Sequence, residues 1–237
     1  MKHRLLAAAA LSLFFAAQAQ AGYYRFWRGY KRADLSEQQL VDGLNARLIP
    51  ATGALAQSDA HLTSYQPVVP EATLQARYGL PHEVALVEYQ DEASYLKFRA
   101  TPLGQAYGDM HWELFGKDVS KSAVPEKYVG TVTTGKAYEV VESADWNLTQ
   151  NEFRVYPRAE GSTDGDYLAG VRAHVETVRA GGPAGLIVLV DPAYVLEYVG
   201  WPEGAAHAGS EGAVIDTPLA AGSAVTEGAG IVYDLTP

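Results

Sequence analysis

The clearest pattern in the chain runs from Val84 to Phe115, VALVEYQDEASYLKFRATPLGQAYGDMHWELF. Glu83–Gln90 is short, rich in branched and aromatic residues, and reads as a buried strand. Asp91–Arg99 begins a helix that carries Tyr95 and Phe98. Thr101-Pro102 is an N-cap followed by an N1 proline, so the helix restarts there. Leu103, Tyr107, His111 and Phe115 then recur every four residues, a stripe expected to face a sheet. Gln105, Asp109 and Glu113 fall on the opposite, wet side.

The same reading extends both ways. Gly22–Arg32 has high strand propensity, and its cations would keep an edge strand soluble. Ser36 and Gln39 form a capping box ahead of Leu40, Val41, Leu44 and Leu48. His61–Val69 reads as a strand with Pro67 at an edge. Lys127–Val141 reads as a long strand, or a hairpin about Thr134-Gly135. The first half thus orders as strand, helix, strand, strand, helix, strand, the split ferredoxin-like pattern.

Later segments repeat part of this order. Glu152–Arg158 is a strand, Tyr167–Val178 a helix, Leu186–Val190 a continuous apolar strand, and Ile231–Leu235 a final strand. Asp191-Pro192 predicts a short helix carrying Tyr194, Val195, Leu196 and Tyr198. Pro102, Gly104 and Ala106 find matches at Pro202, Gly204 and Ala206, which suggests an internal duplication. The predicted class is α+β: two tandem ferredoxin-like modules packed as a single-chain pseudo-dimer, the second reduced. The expected boundaries are 1–21 for a signal peptide, 22–146 for the first module and 147–237 for the second.

Composition narrows the setting. Lys2 and Arg4 precede the apolar stretch Leu5–Ala17, and Ala19-Gln20-Ala21 is a cleavage motif. The expectation is export to the periplasm or the exterior, with a mature start at Gly22. The apolar run is shorter than the roughly 20 residues of a membrane span. The chain has no cysteine, which excludes disulfides and cysteine-held zinc. Loss of Lys2 and Arg4 would take the formal charge from −10 to −12, which argues against nucleic acid as a partner. The sequence leaves the oligomeric state open.

Paired ferredoxin-like modules with the helix Tyr95-x-x-Phe98-Arg99 ahead of Thr101-Pro102 resemble the dimeric α+β barrel superfamily, which includes antibiotic-biosynthesis-monooxygenase-like and EthD-like proteins. The resemblance is one of pattern. It implies two facing sheets with helices outside, and a small organic molecule or haem bound between sheet and helices.

His111 is the candidate catalytic residue, as a general base or, by the resemblance, a haem ligand. The alternative is a core histidine bonded to a backbone carbonyl or a tyrosine. Tyr95, Arg99, Tyr107 and His111 form the candidate ligand-binding set, with Arg99 suited to a carboxylate. Trp112, about 100° round the helix from His111, is expected against a loop. His111 and Glu113 lie on different helix faces, so no metal site is predicted. No cofactor is required by the sequence, and haem remains an open alternative. The functional expectation is binding of a small aromatic or apolar molecule, with or without catalysis. The rival is a non-catalytic envelope protein that uses the Gly22–Arg32 edge for protein contacts.

Overall fold

The computed structural model describes residues 22–56, 61–143, 145–202, 204 and, as backbone, 230–232. Residues 1–21, expected as a signal peptide, lie outside the described residues. Ten strands form two five-stranded sheets.

The first sheet holds β1 (Tyr23–Gly29), β2 (Leu62–Pro70), β3 (Glu83–Tyr89) and β4 (Lys121–Ala123), in the order β2-β3-β1-β4, all antiparallel. That is the ferredoxin-like order. Between β1 and β2 run α1 (Glu37–Gly43), a π turn (Leu44–Leu48) and α2 (Ile49–Ala56). A short α3 (Ala72–Tyr78) joins β2 to β3, and α4 (Glu92–Ala100) and α5 (Pro102–Leu114) join β3 to β4.

The caps stand where the sequence puts them. Ser36 and Gln39 close a reciprocal capping box on α1, and the Thr101 hydroxyl accepts from Gly104 N at 3.0 Å with Pro102 at N1 of α5. The α4–α5 elbow needs a bare backbone. A Cβ on Gly104 would lie 2.1 Å from the Phe98 carbonyl oxygen.

The second sheet is ordered β5-β6-β8-β9-β7. Its strands are β5 (Glu126–Lys127), β6 (Lys136–Val141), β7 (Thr149–Pro157), β8 (Gly185–Val190) and β9 (Tyr194–Pro202), with α6 (Asp164–Ala180) on its outer face. Relative to the chain, β8-β9-β7 repeats β2-β3-β1: second, third, first. Two ferredoxin-like modules in one chain are therefore present, as a pseudo-dimer.

Three sequence expectations are corrected here. Tyr194–Tyr198 is strand, not helix. Asp191-Pro192-Ala193 is the tight turn of the β8–β9 hairpin, closed by Asp191 N–H to Tyr194 O at 2.8 Å. Pro202 therefore ends a strand whereas Pro102 starts a helix, and the residue-level repeat dissolves although the module-level one holds. Lys136–Val141 is not the fourth strand of the first sheet. Lys121–Ala123 takes that place, and β6 pairs antiparallel with β8 across the molecule. Nor is Lys127–Val141 one hairpin, because β5 and β6 run parallel.

Each sheet is extended by a strand from elsewhere in the chain. β6 covers the free edge of β8, and β10 (Gly230–Val232), from the end of the chain, covers that of β2. Residues 233–235 of the expected last strand, and Ala206 of the proposed repeat, lie outside the described residues. β1, expected at an edge, is an interior strand between β3 and β4. Its cations therefore do not guard an edge, and the proposed contact surface there loses its basis.

The sheets face each other across a largely apolar core. Tyr24, Phe26, Val84 and Leu86 of one meet Phe153, Val155, Ile187, Leu189, Leu196 and Tyr198 of the other. The alternate residues point outward beneath helices. Tyr65, Ala85 and Tyr89 pack under α1, α2, α4 and α5, and Leu186, Val188 and Val190 under α6. This explains the unbroken apolar run of β8, which is buried on both faces. The Tyr198 hydroxyl reaches across to the Gln66 and Val84 carbonyl oxygens, at 2.8 and 3.1 Å. Arg28 pairs with Asp191 at 3.3 Å.

Candidate functional site

A cavity of about 230 Å³ lies between the first sheet and the α4–α5 pair. The sheet supplies its floor through strict alternation: Arg25 and Trp27 from β1, Tyr65 from β2, and Glu83, Ala85, Val87 and Tyr89 from β3. The helices supply the roof through Tyr95, Arg99, Tyr107, Gly108, His111 and Trp112. All four residues of the candidate ligand-binding set therefore line one space.

His111 is enclosed by protein on nearly all sides while its rim faces the cavity. Its Nδ1 lies 2.9 Å from the Tyr107 carbonyl oxygen. A carbonyl oxygen can only accept, so Nδ1 carries the proton and Nε2 is left as an acceptor. The ring is held edge-to-face by Trp27 at 5.3 Å and Tyr107 at 4.8 Å. Burial, offset in part by the carbonyl bond, lowers its pKa to about 4, so at neutral pH it is an uncharged imidazole. The carbonyl-bonded alternative describes its Nδ1; its Nε2 keeps a chemical role open.

Tyr107 presents its ring to the cavity and its hydroxyl to the protein. Thr52 Oγ1 donates to the Leu48 carbonyl oxygen at 2.8 Å. The Tyr107 hydroxyl, 2.7 Å away, therefore donates to Thr52. Tyr95 packs against Tyr23 and Tyr89, with the Arg25 guanidinium 5.1 Å above its ring.

Two residues of α5 behave differently from expectation. Leu103 is 57% exposed, because Thr101 and Pro102 start α5 clear of the sheet. Trp112 lines the cavity instead of a loop, packed against Trp27 at 6.0 Å with Lys117 over its ring.

The residue that sequence reasoning missed is Glu83. It is 1% exposed. Trp27 Nε1–H donates to its Oε2 at 3.0 Å, and the Tyr65 hydroxyl donates to its Oε1 at 2.9 Å. Neither donor carries a charge, and no cation pairs with it among the described residues. Desolvation raises its pKa to about 7 against the lowering effect of the two hydrogen bonds. The signal was available: Glu83 shares one face of its strand with Ala85, Val87 and Tyr89, and is the only charged residue on that face.

The second module is built differently on its helix-covered face. The space between its sheet and α6 holds a buried ionic cluster instead. Glu197 accepts from His174 Nε2 at 2.8 Å and from Arg154 at 3.2 Å, and Arg154 also pairs with Glu152. Desolvation pushes Glu197 up, but His174 and Arg154 outweigh it and hold its pKa below the usual carboxylate value.

Haem does not fit the first site. At about 230 Å³ the cavity is smaller than the roughly 300–1,000 Å³ of sites for drug-sized ligands. Two aromatic edges already flank the His111 ring. No group of histidine and acidic residues among the described residues could hold a metal ion, and no described helix is long and apolar enough to cross a membrane.

No family model matches the sequence, and no curated protein matches it significantly. Solved structures do resemble it. A dimeric ferredoxin-like protein of unknown function from Bacteroides fragilis aligns with 45% of this chain and 96% of its own, at 11% identity and a TM-score of 0.37. An EthD-family protein from Bacillus halodurans aligns with 45% and 99%, at 14% identity and a TM-score of 0.33. An anthrone oxidase-like protein aligns with 78% and 74%, at 12% identity and a TM-score of 0.39. The likeness is one of fold, and the chemistry has to be argued from the residues of this chain.

Proposed function

We propose that the chain binds a small, planar, mostly apolar molecule in the cavity between its first sheet and the α4–α5 pair, and acts on it by proton transfer without a cofactor. The observation that carries this reading is Glu83. A fully buried carboxylate with two neutral hydrogen-bond donors and no cation is costly to keep in a fold. Its proton affinity near neutrality is what a general base needs.

In this reading the ligand ring lies against Trp27 and Tyr107. Neutral His111 accepts a hydrogen bond from a ligand O–H or N–H through Nε2. Glu83 takes a proton from an acidic C–H or O–H of the ligand and returns it to the product or to water. His111 thus orients, and Glu83 moves the proton.

The test uses solvent-deuterium exchange into bound 1,3-dicarbonyl and phenolic probes, with binding followed by quenching of tryptophan fluorescence. Glu83→Gln is expected to keep binding and lose exchange. Exchange at the wild-type rate in Glu83→Gln would overturn the role of Glu83. Failure of every probe to quench would overturn the binding site itself.

The same proposal places the mature protein outside the cytoplasm, because of the leader-like Met1–Ala21. Mass spectrometry of the exported protein should give a start at Gly22. Recovery of the full-length chain in the soluble cytoplasmic fraction alone would overturn it.

A further inference from the structure

We propose that the cavity selects an anionic ligand, a monocyclic aromatic acid whose carboxylate is held by Arg25 and Arg99 at the end of the cavity remote from Glu83. This rests on the binding reading above and specifies the substrate class of that site.

Two arginines line the cavity, and both are fixed by neutral groups. Arg25 Nε donates to Ser122 Oγ at 2.9 Å, and one Nη1 hydrogen to the Tyr23 hydroxyl at 3.3 Å. Arg99 Nη1 donates to the Gly104 carbonyl oxygen at 3.0 Å. Neither reaches a carboxylate among the described residues, whereas Arg28, Arg47 and Arg154 each do. Shortage of acids is not the reason, since the chain has 28 acidic against 18 basic residues. A guanidinium has five N–H donors in a planar fork, so each of these two keeps at least three to offer.

The approach of Arg99 to the site is built into the helix. A Cβ on Gly108 would lie 2.3 Å from Arg99 Nη1. The glycine on that turn of α5 leaves room for the guanidinium to lie against the helix.

The strand register separates the two ends. Arg25 is opposite Val87, Trp27 is opposite Ala85, and Glu83 lies four residues before Val87 on β3. At about 3.4 Å per residue, the Arg25 backbone is roughly 14 Å along the strand from that of Glu83, and Arg25 and Arg99 both act electrostatically on Tyr89 at that same end of β3. The floor thus runs from cation through indole to carboxyl, and the aromatic middle spaces the two. A cavity of about 230 Å³, below the roughly 300–1,000 Å³ of sites for drug-sized ligands, suits one ring with a short acid arm.

The experiment measures dissociation constants of benzoate, 4-hydroxybenzoate and phenylacetate against their methyl esters, by tryptophan quenching on the full mature chain. The wild type should favour each acid over its ester by about tenfold or more, the scale of charge-assisted hydrogen bonds. The double variant Arg25→Gln/Arg99→Gln should bring that ratio towards one, and Gly108→Ala, which keeps both charges, should lower it. The ester constant reports within each variant whether the cavity has survived. Equal binding of acid and ester, or a ratio that persists in the double variant, overturns anion selection while leaving the cavity as a binding site. Failure of acids and esters alike overturns both.

Discussion

Trp27 Nε1–H donates to Glu83 Oε2 at 3.0 Å, and the same indole meets the His111 ring at 5.3 Å. One side chain of β1 thus joins a carboxyl of raised proton affinity to an imidazole of lowered proton affinity. At pH 6 both are largely uncharged, so neither needs an ion-pair partner of its own in the cavity.

Glu83 should leave a signature in stability. Its folded pKa, about 7, is above its ordinary value of 4.5. The folded state therefore holds the proton more tightly, and stability falls as pH rises from about 4.5 to 7, by about 3 kcal/mol in all. Glu83→Gln should remove that fall. Tyr65 can turn its hydroxyl to accept from the new amide, so the fold should survive. Urea unfolding of both proteins at pH 5 and pH 8 checks the outcome. An equal change in the two would show that Glu83 does not titrate in this range.

His111 acts with the opposite sign. Its folded pKa of about 4 is below the ordinary 6.5, so the stability it contributes is present above pH 6.5 and lost as pH falls towards 4, up to about 3 kcal/mol. Its Hε1 resonance should not titrate between pH 8 and pH 5. In Glu83→Gln the opposing slope of that carboxyl is gone, while that of Glu88, likewise raised to about 7 by burial, remains. Acid destabilisation over this range should therefore increase, and adding His111→Gln should remove the increase.

Two helical glycines should respond in opposite directions to alanine. Gly53 in α2 has nothing within 4 Å of a built Cβ, so Gly53→Ala should stabilise by about 0.5–1 kcal/mol through helix propensity. At Gly104 the added Cβ meets the rigid Phe98 carbonyl at 2.1 Å. Gly104→Ala should therefore destabilise by about 2 kcal/mol or more as the α4–α5 elbow opens. Thermal unfolding of both variants checks the signs.

The buried cluster of the second module is a separate test. Arg154→Ala leaves Glu197 facing His174 with half its compensation gone, and should cost about 3–5 kcal/mol. Because the folded pKa of Glu197 is depressed, its contribution is present above the unfolded carboxylate pKa and lost as pH falls through the folded one. The deficit of Arg154→Ala should therefore shrink in acid. A deficit that stays constant from pH 7 down to pH 3 would contradict this account.

By itself the sequence determined what local chemistry determines. The Ser36–Gln39 box, the Thr101-Pro102 restart and the strand alternation in Glu83–Tyr89 are set by residues within one turn or one pleat of each other. So is the grouping of Tyr107 and His111 on one helix face. With that helix placed over a sheet, Tyr95, Arg99, Tyr107 and His111 gather in one cavity. Tertiary structure decided the rest. Asp191-Pro192 fits a helix start and a hairpin turn alike, and the pairing of β8 with β9 chooses the turn. Lys136–Val141 fits either sheet, and the free edge of β8 captures it. Glu83 looks like an ordinary polar strand end until Tyr65 and Trp27, 18 and 56 positions away, close over it. Its burial depends on non-local pairing and on the helices that exclude water. That exclusion turns a common carboxylate into the residue on which the proposed chemistry rests.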